Sequence, residues 1–243
     1  MEITSLQNSK IKELAKLKTV KHRKLNNLYL VEGEHLVKEA HKLGILKELI
    51  ILNDLNLKLD VPTIYVTKPI LKHLSDLSTP PGIIGVCKIK EIDNFGHKIL
   101  CLDNISDPGN LGTLIRSALA FNFDTLIISN DSVDLYNPKV LRATQGTHFH
   151  LNIITGNLDQ LLPKIKAQNI PIYGTAVNNG INLKDIKPSN EICIILGNEG
   201  SGIKPEILSF CDNLINININ PNCESLNVGV AGSIIMYELS KKV

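Results

Sequence analysis

The sequence predicts an α/β protein with two parts: a larger C-terminal domain built on a mostly parallel sheet, preceded by a small α/β domain. Three observations carry this. From Ile99 onward, short apolar runs alternate with helix-length amphipathic stretches, the pattern of a parallel sheet covered on both faces. The first ninety residues carry a second, more compact strand and helix pattern of their own. Between the two lies a polar stretch, Lys88 to Lys98, with Asn94 and Gly96, which reads as a linker. At 243 residues and 43% hydrophobic content, the chain has material for two cores.

In the N-terminal part, Lys10, Lys12, Lys16, Lys18, Lys21, Arg23 and Lys24 face a single acid, Glu13, while Ile11, Leu14, Ala15 and Leu17 have helical spacing. This predicts a basic amphipathic helix followed by a basic loop, either a solvated face or a phosphate-contacting surface. Leu28–Val31, Leu49–Leu52, Thr63–Val66 and Ile83–Cys87 read as strands. Gly33–Leu43, stopped by Gly44, and Lys68–Leu77 read as helices. Beyond the linker, strands are expected at 99–102, 125–129, 149–154, 171–176, 192–196 and 214–219. Helices are expected at 111–121, 138–144, 158–168, 205–211 and 226–241.

Composition excludes several classes. No apolar run approaches the roughly 20 residues of a membrane span, and Met1–Ser5 lacks the layout of a secretory signal, so a cytoplasmic protein is expected. Five scattered cysteines without a Cys-x-x-Cys pair argue against a disulfide framework and a zinc site. His148 and His150 alternate on the expected strand 149–154, a spacing that could bind metal, but no third ligand is evident. A net charge of +2 does not by itself imply nucleic acid.

Ligands of open parallel sheets bind beyond the carboxyl ends of strands, and three such loops are unusual. After the first strand of the larger domain comes Asp103 to Arg116, in which Pro108 and Gly109 turn the chain and Asn110 or Asp107 can cap a helix. Arg116 sits among Leu114, Ile115 and Ala118, so it either pairs with a carboxylate such as Asp103 or Asp107, or faces a phosphate or reacting group. After the fifth strand comes Gly197-Asn198-Glu199-Gly200-Ser201-Gly202, which matches neither a Walker loop nor the dinucleotide turn. After the sixth, the alternating run Leu214–Asn220 leads through Pro221–Glu224 onto a helix opening at Ser225-Leu226-Asn227, where Ser225 is either a cap or part of a site.

Together, Asp107-Pro108-Gly109-Asn110-Leu111-Gly112 with Arg116, then Leu196–Gly202, then Glu224-Ser225-Leu226-Asn227-Val228 resemble the three ordered motifs of the SpoU/TrmH family of RNA ribose methyltransferases. The likeness extends over the whole chain, since Tyr29-Leu30-Val31-Glu32-Gly33 and the basic segment are similar to that family's N-terminal substrate-binding domain. Two positions depart from the family pattern: Gly229 stands where serine or alanine is frequent, and Cys223 where valine is usual.

The resemblance implies a deep trefoil knot, which periodicity alone does not show. It implies residues 1–92 as an RNA-binding domain, residues 97–243 as the methyltransferase domain, and a homodimer with no metal and no membrane association. The implied activity is S-adenosylmethionine-dependent methylation of a ribose 2′-hydroxyl, in ribosomal RNA more than in transfer RNA. Carried over residue by residue, Arg116, Asn110, Glu199, Ser225 and Asn227 are the expected catalytic set. Arg116 would orient the hydroxyl, Asn110 and Ser225 would fix Arg116 or the nucleotide, Glu199 would hold an arginine or the third-motif loop, and Asn227 would secure that loop. Gly197, Ile217 and Leu226 are expected to hold the cofactor, with Thr175 and Gly174 as weaker candidates. The alternatives are a transfer RNA methyltransferase, a catalytically silent RNA-binding or ribosome-assembly module of the same fold, and a nucleotide-binding enzyme of doubly wound type.

Overall fold

A computed structural model of the chain describes residues 2–92 and 94–240. The expected end of the last helix at Lys241 lies outside the described residues. The chain packs as two compact units, Met1–Glu91 with Tyr136–Phe149, and Ile92–Leu135 with His150–Val243.

The first unit contains β1 (Glu2–Ile3), α1 (Ser9–Lys16), α2 (Val20–Asn26), β2 (Leu28–Glu32), α3 (Glu34–Lys42), β3 (Leu46–Leu52), β4 (Thr63–Val66), α4 (Lys68–Leu74) and β5 (Ile83–Lys88). Its sheet runs β1-β4-β3-β5-β2, with β5 antiparallel to both neighbours. Successive strand residues point to opposite faces, and both faces are buried. Ile50, Ile84 and Val86 join Ile11, Leu14 and Ile70 on one side. Leu49, Ile51, Ile83 and Tyr29 join Leu36, Val37 and Ala40 on the other.

The second unit begins with β6 (Lys98–Leu102), α5 (Pro108–Ala120) and β7 (Thr125–Ser129). After α6 (Pro138–Thr144), which packs in the first unit, it continues with β8 (Asn152–Gly156), α7 (Leu158–Lys166), β9 (Ile172–Thr175), β10 (Ile181–Asn182), β11 (Ile192–Leu196), α8 (Pro205–Leu208), β12 (Asn213–Asn216) and α9 (Val228–Ser240). All seven strands are parallel, in the order β10-β12-β9-β11-β6-β7-β8. The central strands are fully buried, which is why they read as continuous apolar runs.

Several expectations change. The basic loop after the first helix is itself helical, as α2, and its Arg23 is buried, donating from Nη1 to Leu17 O and Lys18 O, both at 2.9 Å. The expected strand 149–154 starts later: a left-handed turn at Gln145 and Gly146 feeds a 3-10 turn, Thr147–His150, and β8 begins at Asn152. His148 and His150 therefore do not alternate on a strand. His148 is buried against Phe149, with its Nδ1 2.8 Å from the Thr144 hydroxyl, and no group of three potential metal ligands exists among the described residues. Chain order would leave residues 136–149 with the second unit. They pack in the first because Tyr136 stacks on Tyr29 at 4.3 Å, and Leu141 and Phe149 fill its core.

The helix from Lys68 ends at Leu74 because the Glu32 carboxylate takes the Ser75 hydroxyl and the Asp76 N–H. The run Leu214–Asn220 forms a strand only to Asn216, where its partners end: β9 stops opposite Ile215 and β10 opposite Asn216. No described helix is long and apolar enough to cross a membrane.

Candidate active site

The three loops meet at the carboxyl ends of the parallel strands. Asp107 starts α5, its Oδ1 accepting from Asn110 N at 2.8 Å, which satisfies one of the helix's free N–H groups. Asn227 plays the same part for α9, its Oδ1 accepting from Gly229 N at 3.0 Å and Val230 N at 3.3 Å. The cap of the final helix is thus Asn227, and the exposed Ser225 lies before it.

The glycine loop closes on itself through paired backbone hydrogen bonds between Asn198 and Gly202 at 3.0 and 2.9 Å. Gly202 has φ +72°, and a Cβ on Gly197 would stand 2.2 Å from Gly202 C and Ile203 N. Both positions therefore require glycine. Asn198, which sequence reasoning passed over, fastens the loop. Its Oδ1 accepts from Gly200 N at 3.0 Å and Ser201 N at 3.1 Å, and its Nδ2 donates to Asn104 O at 2.8 Å. An asparagine bonding to N–H groups two and three residues on is a local turn signal that the sequence carried.

One side-chain network joins all three motifs. Asn110 Nδ2 donates to Glu199 Oε1 at 2.7 Å, and Asn227 Nδ2 donates to Asn110 Oδ1 at 3.0 Å. The direction of both amides is fixed from the two ends, since Glu199 presents oxygens and the start of α9 presents N–H groups. Glu199 Oε2 also lies 3.4 Å from the Ser106 hydroxyl. Glu199 therefore grips the first-motif loop and reaches no arginine, and Asn110 is held by Glu199 and Asn227 instead of touching Arg116.

Arg116 itself is exposed and makes no hydrogen bond or ion pair among the described residues. The two carboxylates proposed as its partners are engaged elsewhere: Asp107 caps α5, and the buried Asp103 accepts from Lys204 N at 2.8 Å, with Lys204 Nζ 3.6 Å away. Lys204 Nζ also pairs with Asp131, at the end of β7. Burial opposes ionisation of Asp131, but hydrogen bonds from Lys204 and Ser129 outweigh it and hold its pKa below the usual carboxylate value. The Asp131 hydrogen bond raises Lys204 in turn.

Beside the network opens a cleft of about 500 Å³, lined by Thr175, Gly197, Glu199, Ile215, Ile217, Ser225, Leu226 and Ile235 among others. Its size suits a nucleoside-sized ligand, for which clefts of roughly 300–1,000 Å³ are usual. Ile217 lies just past the end of β12, where backbone groups leave the sheet. Thr175 closes β9, with its hydroxyl given to Ile195 O at 3.0 Å. Gly174 does not line the cleft. A Cβ there would meet Cys211 Sγ at 2.8 Å, so that glycine serves packing. Gly229 fits closely, with Asn227 Oδ1 at 3.2 Å and Asn110 Oδ1 at 3.4 Å from a Cβ position, so a larger residue there would press on both amides.

Comparison with known proteins agrees with this architecture. The SpoU rRNA methylase family profile matches residues 97–237, and the profile of an MRM3-like substrate binding domain matches residues 8–85. The chain belongs to the SpoU rRNA methylase family, and with it to the RNA methyltransferases. It is 36% identical, over 98% of each chain, to the 23S rRNA (guanosine(2553)-2′-O)-methyltransferase RlmP of Bacillus subtilis. A solved structure of an RNA 2′-O ribose methyltransferase superposes with a TM-score of 0.79 at 28% identity, covering 98% of both chains. An AdoMet-bound rRNA methyltransferase from Sinorhizobium meliloti shares the fold with a TM-score of 0.86 at 24% identity, over 98% of this chain and 97% of that one.

Proposed function

We propose that this protein methylates a ribose 2′-hydroxyl in 23S ribosomal RNA with S-adenosylmethionine as donor. The observation that carries the reading is the Glu199–Asn110–Asn227 network, which joins three separate loops beside a cleft of nucleoside size. The cofactor would be held by Thr175, Gly197, Ile217 and Leu226, largely through backbone groups, with the isoleucines covering an apolar ring face. When bound it supplies an activated methyl on a good leaving group. What remains for the chain is to place the hydroxyl in line and ease loss of its proton. A guanidinium offers N–H donors and no acceptor, so Arg116 serves by donation, orienting the 2′-oxygen and the adjacent phosphate. Asn110, Glu199 and Asn227 hold the loops that frame the reaction, and Ser225 sits at the cleft edge to touch the nucleotide.

We assign residues 1–92 to RNA binding and 97–243, apart from the segment 136–149 that packs in the first unit, to catalysis, and place the enzyme in the cytoplasm. The exposed Lys12, Lys16, Lys21 and Lys24 on α1 and α2 suit phosphate contacts. The catalytic chain is threaded as a deep trefoil knot and works as a homodimer. Val230, Ile234 and Tyr237 stay exposed on α9 at i, i+4 and i+7, an apolar stripe that a second copy would cover. An Arg116 without a partner among the described residues fits a role at such an interface.

The test combines purified protein, labelled S-adenosylmethionine and RNA from cells lacking the protein, followed by mapping of 2′-O-methyl nucleosides. Label in a single 23S position is expected. Label in transfer RNA would move the target, and no transfer to any RNA would leave a silent binding module. Light scattering is expected to give twice the chain mass, falling to one chain for Ile234→Glu.

A further inference from the structure

The first unit holds a second, smaller cleft of about 20 Å³, lined by Lys18, Arg23, Glu32, Asp76, Tyr136 and Arg142 among leucines. Its charged groups are spoken for, with one exception. Lys18 Nζ donates to His73 O at 3.0 Å and Ser75 O at 3.2 Å, and pairs with Asp76 at 3.0 Å. Glu32 takes the Ser75 hydroxyl and the Asp76 N–H, and Arg23 caps the end of α1. Arg142, on α6, is half-buried, its guanidinium makes no hydrogen bond or ion pair among the described residues, and its Nη1 is shut off from solvent without an acceptor.

A buried charged donor left without an acceptor costs more than an ordinary missing hydrogen bond, because its hydration is lost with nothing in return. An anionic oxygen entering the cleft would offset this cost at the rest of the guanidinium, of whose nitrogens only Nη1 is closed to solvent. The volume decides its size: about one to two water-sized spheres, enough for an oxygen of a phosphate and too small for a base. We propose that Arg142 is a phosphate anchor, taking one backbone phosphodiester of the RNA at this cleft, with the wall of paired charges fixing the guanidinium's position. The proposal rests on the reading of the chain as an RNA-binding enzyme. It gives α6, a helix that chain order places among the catalytic motifs, a part in substrate binding.

The test uses full-length protein and a 23S rRNA transcript, comparing wild type with Arg142→Met and Arg142→Lys. Arg142→Met is expected to bind the transcript about tenfold more weakly, with the slope of log K against log salt reduced by about one contact, roughly 0.7–0.9. Its melting temperature should equal or exceed that of wild type, since an unpartnered buried donor has been replaced by an apolar chain of similar length. Affinity for S-adenosylmethionine should stay within twofold. Arg142→Lys should recover part of the RNA affinity. Wild-type affinity and slope in Arg142→Met would overturn the proposal, as would a weakened affinity accompanied by a lower melting temperature, which would make the arginine structural. Stabilisation of wild type but not Arg142→Met by millimolar inorganic phosphate, with RNA binding unaffected, would assign the cleft to a free anion and overturn it too. If wild type itself neither binds RNA nor transfers methyl, the enzyme reading fails first, an outcome distinguishable from a variant that merely matches an active wild type.

Discussion

The two clefts differ in size and in the charge they carry. That of the second unit is large, about 500 Å³, walled by isoleucines, leucine and glycine-loop backbone. That of the first is about 20 Å³, where Lys18, Arg23, Glu32, Asp76 and Arg142 stand among leucines. A small ligand with an apolar ring can be recognised by enclosing it, because buried area and backbone donors give both affinity and shape. A polyanion cannot be enclosed, so it is met by point charges spread over a surface, each worth little alone. Arg116 belongs to neither kind, since it lines neither cleft and has no partner among the described residues.

The largest effect is expected at that exception. Arg116→Ala should lower methyl transfer by about 10²–10⁴-fold while calorimetry finds cofactor affinity nearly unchanged. Wild-type turnover would remove the arginine from the chemistry. Next comes the enclosing cleft. Gly197→Ala places a methyl group 2.2 Å from backbone and must open the loop, so cofactor affinity should fall by about 10–100-fold, some 1.4–2.7 kcal/mol. Retained affinity would mean the loop does not shape the site. At the charged surface, removing Lys12, Lys16, Lys21 and Lys24 together should flatten the salt dependence of RNA binding by up to roughly 3–4 in slope and leave cofactor binding alone. A salt-insensitive wild type would refute the electrostatic half of the contrast.

Smallest is a control that lines neither cleft. Asp212 accepts from Ile172 N at 2.9 Å and pairs with Lys166 at 3.1 Å, and the backbone hydrogen bond, then Lys166, holds its pKa below the ordinary carboxylate value. A carboxyl with a depressed folded pKa stabilises fully above its unfolded pKa of about 3.9 and loses that contribution as pH falls through the folded value. Asp212→Asn should therefore cost a few tenths to about 1 kcal/mol at pH 7, the pair being partly exposed. The difference in melting should vanish in acid, with activity unchanged at both clefts. A gap that persists below pH 2 would assign the effect to something other than ionisation.

Most of the secondary structure was legible because parallel strands buried on both faces must be apolar throughout and helices must carry one apolar stripe. Ile192–Leu196 and Thr125–Ser129 could be bounded from residue type alone. What failed were features settled by neighbours at a distance. The run Leu214–Asn220 alternates to its end, yet pairing stops at Asn216 because β9 and β10 stop there. Residues 149–154 look like one strand, but Phe149 has a better burial site in the other unit. The candidate site was legible as three motifs, while the bonds among them were not: nothing local to Glu199 says that its acceptor capacity meets Asn110, 89 residues away.

By itself the sequence determined the fold class, the order of elements and the family, since these follow from periodicity and from short runs of residues whose chemistry is local. Only the tertiary structure decided that Asn227 caps the last helix while bonding Asn110, that α6 packs with the N-terminal unit, and that, among the described residues, Arg116 has no partner and a buried donor of Arg142 no acceptor. While α6 follows Leu141 and Phe149 into the first unit's core, the three polar cases share one physical reason. A polar side chain's partner is fixed by where the chain brings another polar group within about 3 Å, and that distance is a property of the folded chain that no stretch of residues encodes alone.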